Sequence, residues 1–152
     1  MHSGVHTLIG VSALRSALRD KGEIMMIELP GIGVIVPVDE IERICLERGL
    51  DDLWRKIWED PPLKPFRCDG CSLWPDKWGN YDLYPACFIH DVKYWCGYKG
   101  ERVERLQADL ELALEILAIT QNCQLALLMF RGVLAGGHEI FNREFSWGFG
   151  RY

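Results

Sequence analysis

The chain has no surplus of basic residues. Its 17 lysines and arginines are outnumbered by 22 aspartates and glutamates, giving a formal charge of −5. A general nucleic-acid binder would instead carry a basic face. There is no run of about 18 apolar residues, so no membrane-spanning helix is expected. The start, MHSGVHTLIGVSALRSALRDKGE, lacks a basic stretch ahead of its apolar segment, which His6, Thr7 and Ser12 interrupt. That makes a poor secretory signal. There is no internal repeat, and with 49% hydrophobic and 26% charged residues the composition excludes a disordered or low-complexity chain. The 152 residues suit one compact domain with a core of its own.

What the chain does have is six cysteines: Cys45, Cys68, Cys71, Cys87, Cys96 and Cys123. Four of them lie between 68 and 96. Disulfides favour an exported protein, whereas thiols or a metal site do not require export. Residues 1–22 read as an N-terminal arm or short helix. Residues 23–60 read as a β-hairpin, with two apolar runs flanking Pro30-Gly31, followed by accessory helices. Asp39 is a suitable N-cap for a helix over 40–48 that Gly49 stops, and Asp51 starts a second helix running to Glu59. Residues 66–85 form a long loop rich in Trp and Tyr, and such loops in compact domains are usually functional. Helices are expected over about 84–96, 101–119 and 121–135. In the second of these Val103, Leu106, Leu110, Ala113, Leu114 and Leu117 recur at helical spacing as the core-facing stripe. The fold class is mainly α.

The helix over 84–96 carries an unusual face. At about 100° per residue, Cys87, His90, Asp91 and Tyr94 fall within an arc of roughly 100°. On the next helix Asp109 sits at the edge of the apolar stripe, where a lone buried carboxylate would cost several kcal/mol, so it needs a partner. Arg102 or Arg105 on its own helix could serve. So could His90, because Gly97 and Gly100 mark a turn that would bring an antiparallel pair level near positions 90 and 109. A His–carboxylate pair fixes the imidazole tautomer and leaves its other nitrogen free as a base. Asp91 points away from that pairing toward a ligand or cation. Hard oxygen donors in the preceding loop, with Asp69, Asp76 and Asp82, suit Ca²⁺. A different reading takes Cys68-x-x-Cys71 with Cys87-x-x-His90 as four zinc ligands in an interaction domain.

Asp69-Gly70-Cys71-Ser72, Pro75-Asp76, Pro85-Ala86-Cys87, His90-Asp91-x-x-Tyr94 and Ala108-Asp109 together resemble the phospholipase A2 superfamily, most closely its small prokaryotic and fungal branch. The resemblance covers residues 66–120. It implies two antiparallel catalytic helices with a calcium loop, in a catalytic region over 61–152. It implies calcium-dependent hydrolysis of a phospholipid sn-2 acyl ester, with His90 activating water, Asp109 orienting His90 and Tyr94 buttressing the pair. Ca²⁺ would be held by Asp69, the backbone oxygen of Gly70 and Asp91, and a disulfide would join Cys71 to Cys87. No serine nucleophile is implied, and none of the G-x-S-x-G type occurs. The chain lacks the glycine-rich calcium loop of the secreted animal enzymes. A catalytically inactive phospholipase-like binding module is the alternative within the same fold.

The expected partner is a phospholipid membrane surface or micelle. Leu73, Trp74, Trp78, Tyr81, Leu83 and Tyr84, with Trp147 and Phe149, supply side chains of the interfacial kind. A protein partner through residues 1–60 stays open. Cys45 and Cys123 read as buried thiols, and Cys68 and Cys96 as either a second disulfide or two free thiols. The implied disulfide places secretion without a visible signal ahead of cytoplasmic residence.

Overall fold

The computed structural model describes residues 28–71, 74–141, 143 and 145–152. The arm at 1–22 and the first run of the expected hairpin lie largely outside them. Within them are five α-helices and four two-residue strands.

The first strand among the described residues is β1 (Ile35–Val36). It pairs antiparallel with β2 (Phe66–Arg67), with Val36 opposite Phe66. The run before Pro30 that the expected hairpin would use lies mostly outside the described residues, and the pairing seen is this long-range one. Burial supports it: Val36 is 2% exposed, Phe66 is completely buried, and both belong to the same core. Helix α1 (Val38–Glu47) begins earlier than expected. Pro37 caps it with an extended backbone, and its carbonyl accepts the amides of Glu40 and Ile41 at 3.1 Å. Asp39 is thus inside the first turn, where with Glu40 it complements the helix dipole. Gly49 takes the left-handed conformation that ends the helix. Helix α2 spans Asp51–Glu59, as its sequence suggests.

The segment 66–85 is more ordered than a loop. After β2, strands β3 (Lys77–Trp78) and β4 (Tyr81–Asp82) form a tight hairpin about Gly79-Asn80. Helix α3 (Tyr84–Trp95) follows, with Pro85 in its first turn and the Asp82 carboxylate accepting the Tyr84 amide at 3.1 Å. Helix α4 (Arg102–Thr120) folds back along α3, and α5 (Cys123–Gly136) follows after Gln121 and Asn122. The Asn122 side chain caps α5 by accepting the Leu125 amide.

Two hydrophobic clusters meet on α3. One joins it to α1, α2 and the β1–β2 pair through Ile41, Ile44, Ile57, Phe66, Phe88 and Trp95. The other joins it to α4 and α5 through Leu83, Leu112, Ile116, Leu125 and Met129. Burying each such side chain contributes about 1.5–3 kcal/mol. The buried face of α4 is Ala108, Asp109, Leu112, Ala113, Ile116 and Thr120. The expected stripe is mostly outside it, with Val103 77% exposed and Leu106, Leu110 and Leu114 near half. Helix α4 is apolar on two sides, so periodicity alone did not choose between them.

The chain's last segment closes the end of α3. The Gly148 amide donates to the Tyr94 carbonyl, the Gly150 amide to Trp95 and the Arg151 guanidinium to Cys96. These acceptors belong to the carbonyls a helix terminus leaves unsatisfied.

Candidate active site

The α3–α4 pairing brings the proposed base and its partner together. His90 Nε2 lies 2.8 Å from Asp109 Oδ1, and Tyr94 Oη donates to the same oxygen at 2.5 Å. Asp109 has no exposed surface, His90 is 7% exposed and Tyr94 2%. Neither Arg102 nor Arg105 takes the carboxylate. Arg105 directs Nη2 to the Val133 and Leu134 carbonyls at the end of α5. Because the carboxylate only accepts, Nε2 carries the proton and Nδ1 holds the lone pair. Nδ1 is 3.9 Å from Asp91 Oδ1, beyond hydrogen-bond distance, and in this tautomer both atoms are acceptors, so the lone pair stays free of that carboxylate. Burial acts to lower the imidazole's proton affinity, but the bond to Asp109 and the nearby charges of Asp91 and Asp109 outweigh it, and the His90 pKa is raised. The Tyr94 hydroxyl is pushed well above its ordinary pKa by burial and then by Asp109, so it stays a donor.

Asp91 faces the segment after β2. Its Oδ2 accepts the Asp69 amide and the Cys68 thiol, each at 3.3 Å. Gly70 has φ +73°, and a Cβ there would come within 2.7 Å of Asp76 Oδ1; glycine is required on both counts. Asp76 Oδ1 accepts the Cys71 amide at 3.0 Å. Of the three loop aspartates, Asp76 and Asp82 thus hold backbone amides, and Asp69 stands beside Asp91. The Cys71–Cys87 disulfide fastens this segment to α3.

That disulfide removes two thiolates from the zinc reading, and His90 Nε2 is already committed to Asp109. Among the described residues no group of three or more His, Cys, Asp or Glu is arranged to hold a metal, so the Cys68, Cys71, Cys87, His90 set is not assembled. Cys68 and Cys96 are both free and buried, and Cys123, expected to be buried, is exposed.

His90, Asp91, Tyr94 and Gly70 line one narrow cavity of about 130 Å³, whose remaining wall is apolar: Trp74, Leu112, Met129, Val133 and Phe145 among others. A wider cleft of about 650 Å³ also reaches His90, but its other polar lining is Glu47, Arg48, Lys93, Glu111 and Glu115. It includes none of Gly70, Asp91 and Tyr94, so the narrow cavity is the better candidate. The aromatic cluster of the loop is divided. Leu83 and Trp147 are buried, Trp74 is half-buried against Gly132, and Trp78 and Tyr81 are each more than two-fifths exposed. Leu73 lies outside the described residues.

Sequence reading did not find Gly137. A Cβ there would lie 2.6 Å from the Tyr94 ring and hydroxyl, so its lack of a side chain is what lets Tyr94 reach Asp109. The Gly136-Gly137 pair ending α5 was the available signal. No protein-family model, curated protein or solved structure matches this chain.

Proposed function

We propose that this protein hydrolyses the sn-2 acyl ester of a phospholipid in a calcium-dependent reaction. The observation that carries the proposal is a buried His–Asp–Tyr network whose imidazole opens on an apolar slot beside Gly70 and Asp91. In this reading His90 Nδ1 takes a proton from water as that water attacks the ester carbonyl. Asp109 holds the imidazole in the required tautomer and stabilises the imidazolium that forms. Tyr94 fixes the carboxylate, and the apolar wall receives the acyl chain.

The donors available for Ca²⁺ are the Asp69 and Asp91 carboxylates and the Gly70 carbonyl. All are hard oxygens, which suits Ca²⁺ better than zinc, and water would complete the six to eight ligands the ion takes. The left-handed backbone at Gly70 supports the assignment, because it turns the peptide on which that carbonyl sits. When bound, the ion supplies positive charge for the developing oxyanion. The membrane partner belongs to the same reading, with exposed Trp78 and Tyr81 as the side chains available to an interface.

The test is fatty-acid release from mixed phospholipid vesicles, with and without a calcium chelator, for wild type and His90→Gln. The expected result is release that needs calcium and falls about 10²–10⁴-fold in the variant, the usual contribution of a positioned base. Undiminished release by His90→Gln would overturn the assignment.

A further inference from the structure

A further cleft, of about 370 Å³, borders Asp69. It is lined by Lys64, Pro65, Arg67, Asp69, Arg143, Phe149 and Tyr152. Lys64, Arg67 and Arg143 are exposed. Among the described residues none of their side chains makes an ion pair or hydrogen bond. This concentration runs against the rest of the chain, whose formal charge is −5. In an acidic protein three cations around one concavity, with Asp69 the carboxylate among its described lining residues, create a local positive potential that the whole-molecule field does not supply.

The backbone holds these residues in place. Arg67 is in the β1–β2 ladder opposite Ile35. The Lys64 amide donates to the Gly150 carbonyl at 2.9 Å, and its own carbonyl accepts Trp95 Nε1 at 2.8 Å. The Arg143 amide donates to Ser146 Oγ, and the Ser146 amide returns to the Arg143 carbonyl, each at 2.9 Å. The cations therefore come from two distant stretches of chain, around 64–67 and at 143, on anchored backbone. Arginine's planar fork matches phosphate oxygens in pairs, and lysine adds a point charge.

We propose that this cleft binds a phosphate group. Asp69 connects it to the candidate active site, because that residue lines the cleft while its amide bonds Asp91. If the proposed hydrolysis is taken as the premise, the phosphate is that of the substrate's head group, held in the cleft that Asp69 borders while the ester enters the slot that Gly70 lines. The head-group source rests on that reading; binding of phosphate itself does not.

The experiment is a binding titration on the whole chain without calcium, by calorimetry or by NMR of Phe149 and Tyr152. The two probes are inorganic phosphate and glycerophosphocholine, the soluble phosphodiester of a head group. Saturable binding is expected for both, in competition with each other and weakening as salt rises. Arg67→Gln with Arg143→Gln should weaken it at least tenfold, and Arg67→Lys with Arg143→Lys should restore most of it. Both positions are exposed, and thermal melting of each variant verifies folding. No saturable binding by either probe, or equal affinity in the glutamine variant, overturns the proposal. Binding of inorganic phosphate alone assigns the cleft to a free phosphate and removes the head-group source. His90 does not line the cleft, so His90→Gln should bind both probes as wild type does. A protein that binds phosphate yet releases no fatty acid would sink the hydrolase reading and leave this one standing.

Discussion

His90 is under two opposed influences, and their balance sets two different pH dependences. Burial favours neutral imidazole, whereas the Asp109 bond and the Asp91 charge favour imidazolium and prevail, raising the pKa above its ordinary value. The folded state therefore prefers the protonated form. Its stabilising contribution is complete below about 6.5, the unfolded value, and is lost as pH rises through the higher folded value. A proposed base works in the opposite sense, since only neutral imidazole accepts the proton, so hydrolysis should rise with pH through that same raised value. Imidazole NMR without calcium should give His90 a midpoint above 6.5, and Asp91→Asn should lower it by removing a carboxylate 3.9 Å from Nδ1. A wild-type midpoint at or below 6.5 would contradict the electrostatic account. His90 and Asp109 were legible as a pair from their spacing around the Gly97–Gly100 turn. Choosing His90 over Arg105 as the partner of Asp109 needed the helix register, because both arrangements place a cation within reach.

Gly137 shows how an element end can set the geometry of a site. The end of α5 approaches Tyr94 so closely that Gly137→Ala must displace the ring or the helix end. Overpacking of this kind costs about 1–3 kcal/mol. The expected outcome is a lower melting temperature together with reduced hydrolysis, while Gly136→Ala, with nothing within 4 Å, should change little. The disulfide ties elements in another way. Its partners are 16 residues apart, and a loop of about that size loses about 3 kcal/mol when the bond is removed. Denaturant unfolding of Cys71→Ser with Cys87→Ser should show about 2–4 kcal/mol less stability. At this scale helix positions were legible from glycines, prolines and periodicity, although the cap of α1 is Pro37 and not Asp39. The α4 face was not, since Leu106, Leu110 and Leu114 have the same period as Leu112, Ala113 and Ile116. The β1–β2 pairing was not legible either, because antiparallel partners far apart in sequence leave no local signal.

Across the whole molecule the cysteines sort by depth. Burial pushes the Cys45 thiol up to about 12 and the Cys96 thiol up to about 11, and burial with the Asp91 charge pushes Cys68 up as well. The thiolate is the reactive form, so at neutral pH these are inert. Cys123 is exposed. A disulfide reagent applied to the native protein should therefore titrate one thiol rapidly and all four free thiols only after unfolding. Rapid reaction of more than one would mean that the core around α3 opens. The mainly helical class was visible in the sequence, whereas the burial of Cys68 and the exposure of Cys123 depended on which helix faces meet.

The strap of residues after Trp147 has a consequence for how the protein is made. A ribosome delivers all five helices, with His90, Tyr94 and Asp109, before it delivers Gly148, Gly150 and Arg151. Until those arrive, the Trp95 and Cys96 carbonyls lack the donors from Gly150 and Arg151, and the Tyr94 carbonyl keeps the Gly97 amide but lacks that of Gly148. The ring of Tyr94 also lacks Trp147, which packs edge-on against it at 5.2 Å. A nascent chain stalled just short of Trp147 would thus contain His90, Tyr94 and Asp109 and still lack the ring that packs edge-on against Tyr94, so completion of the site waits on the segment that begins at Trp147.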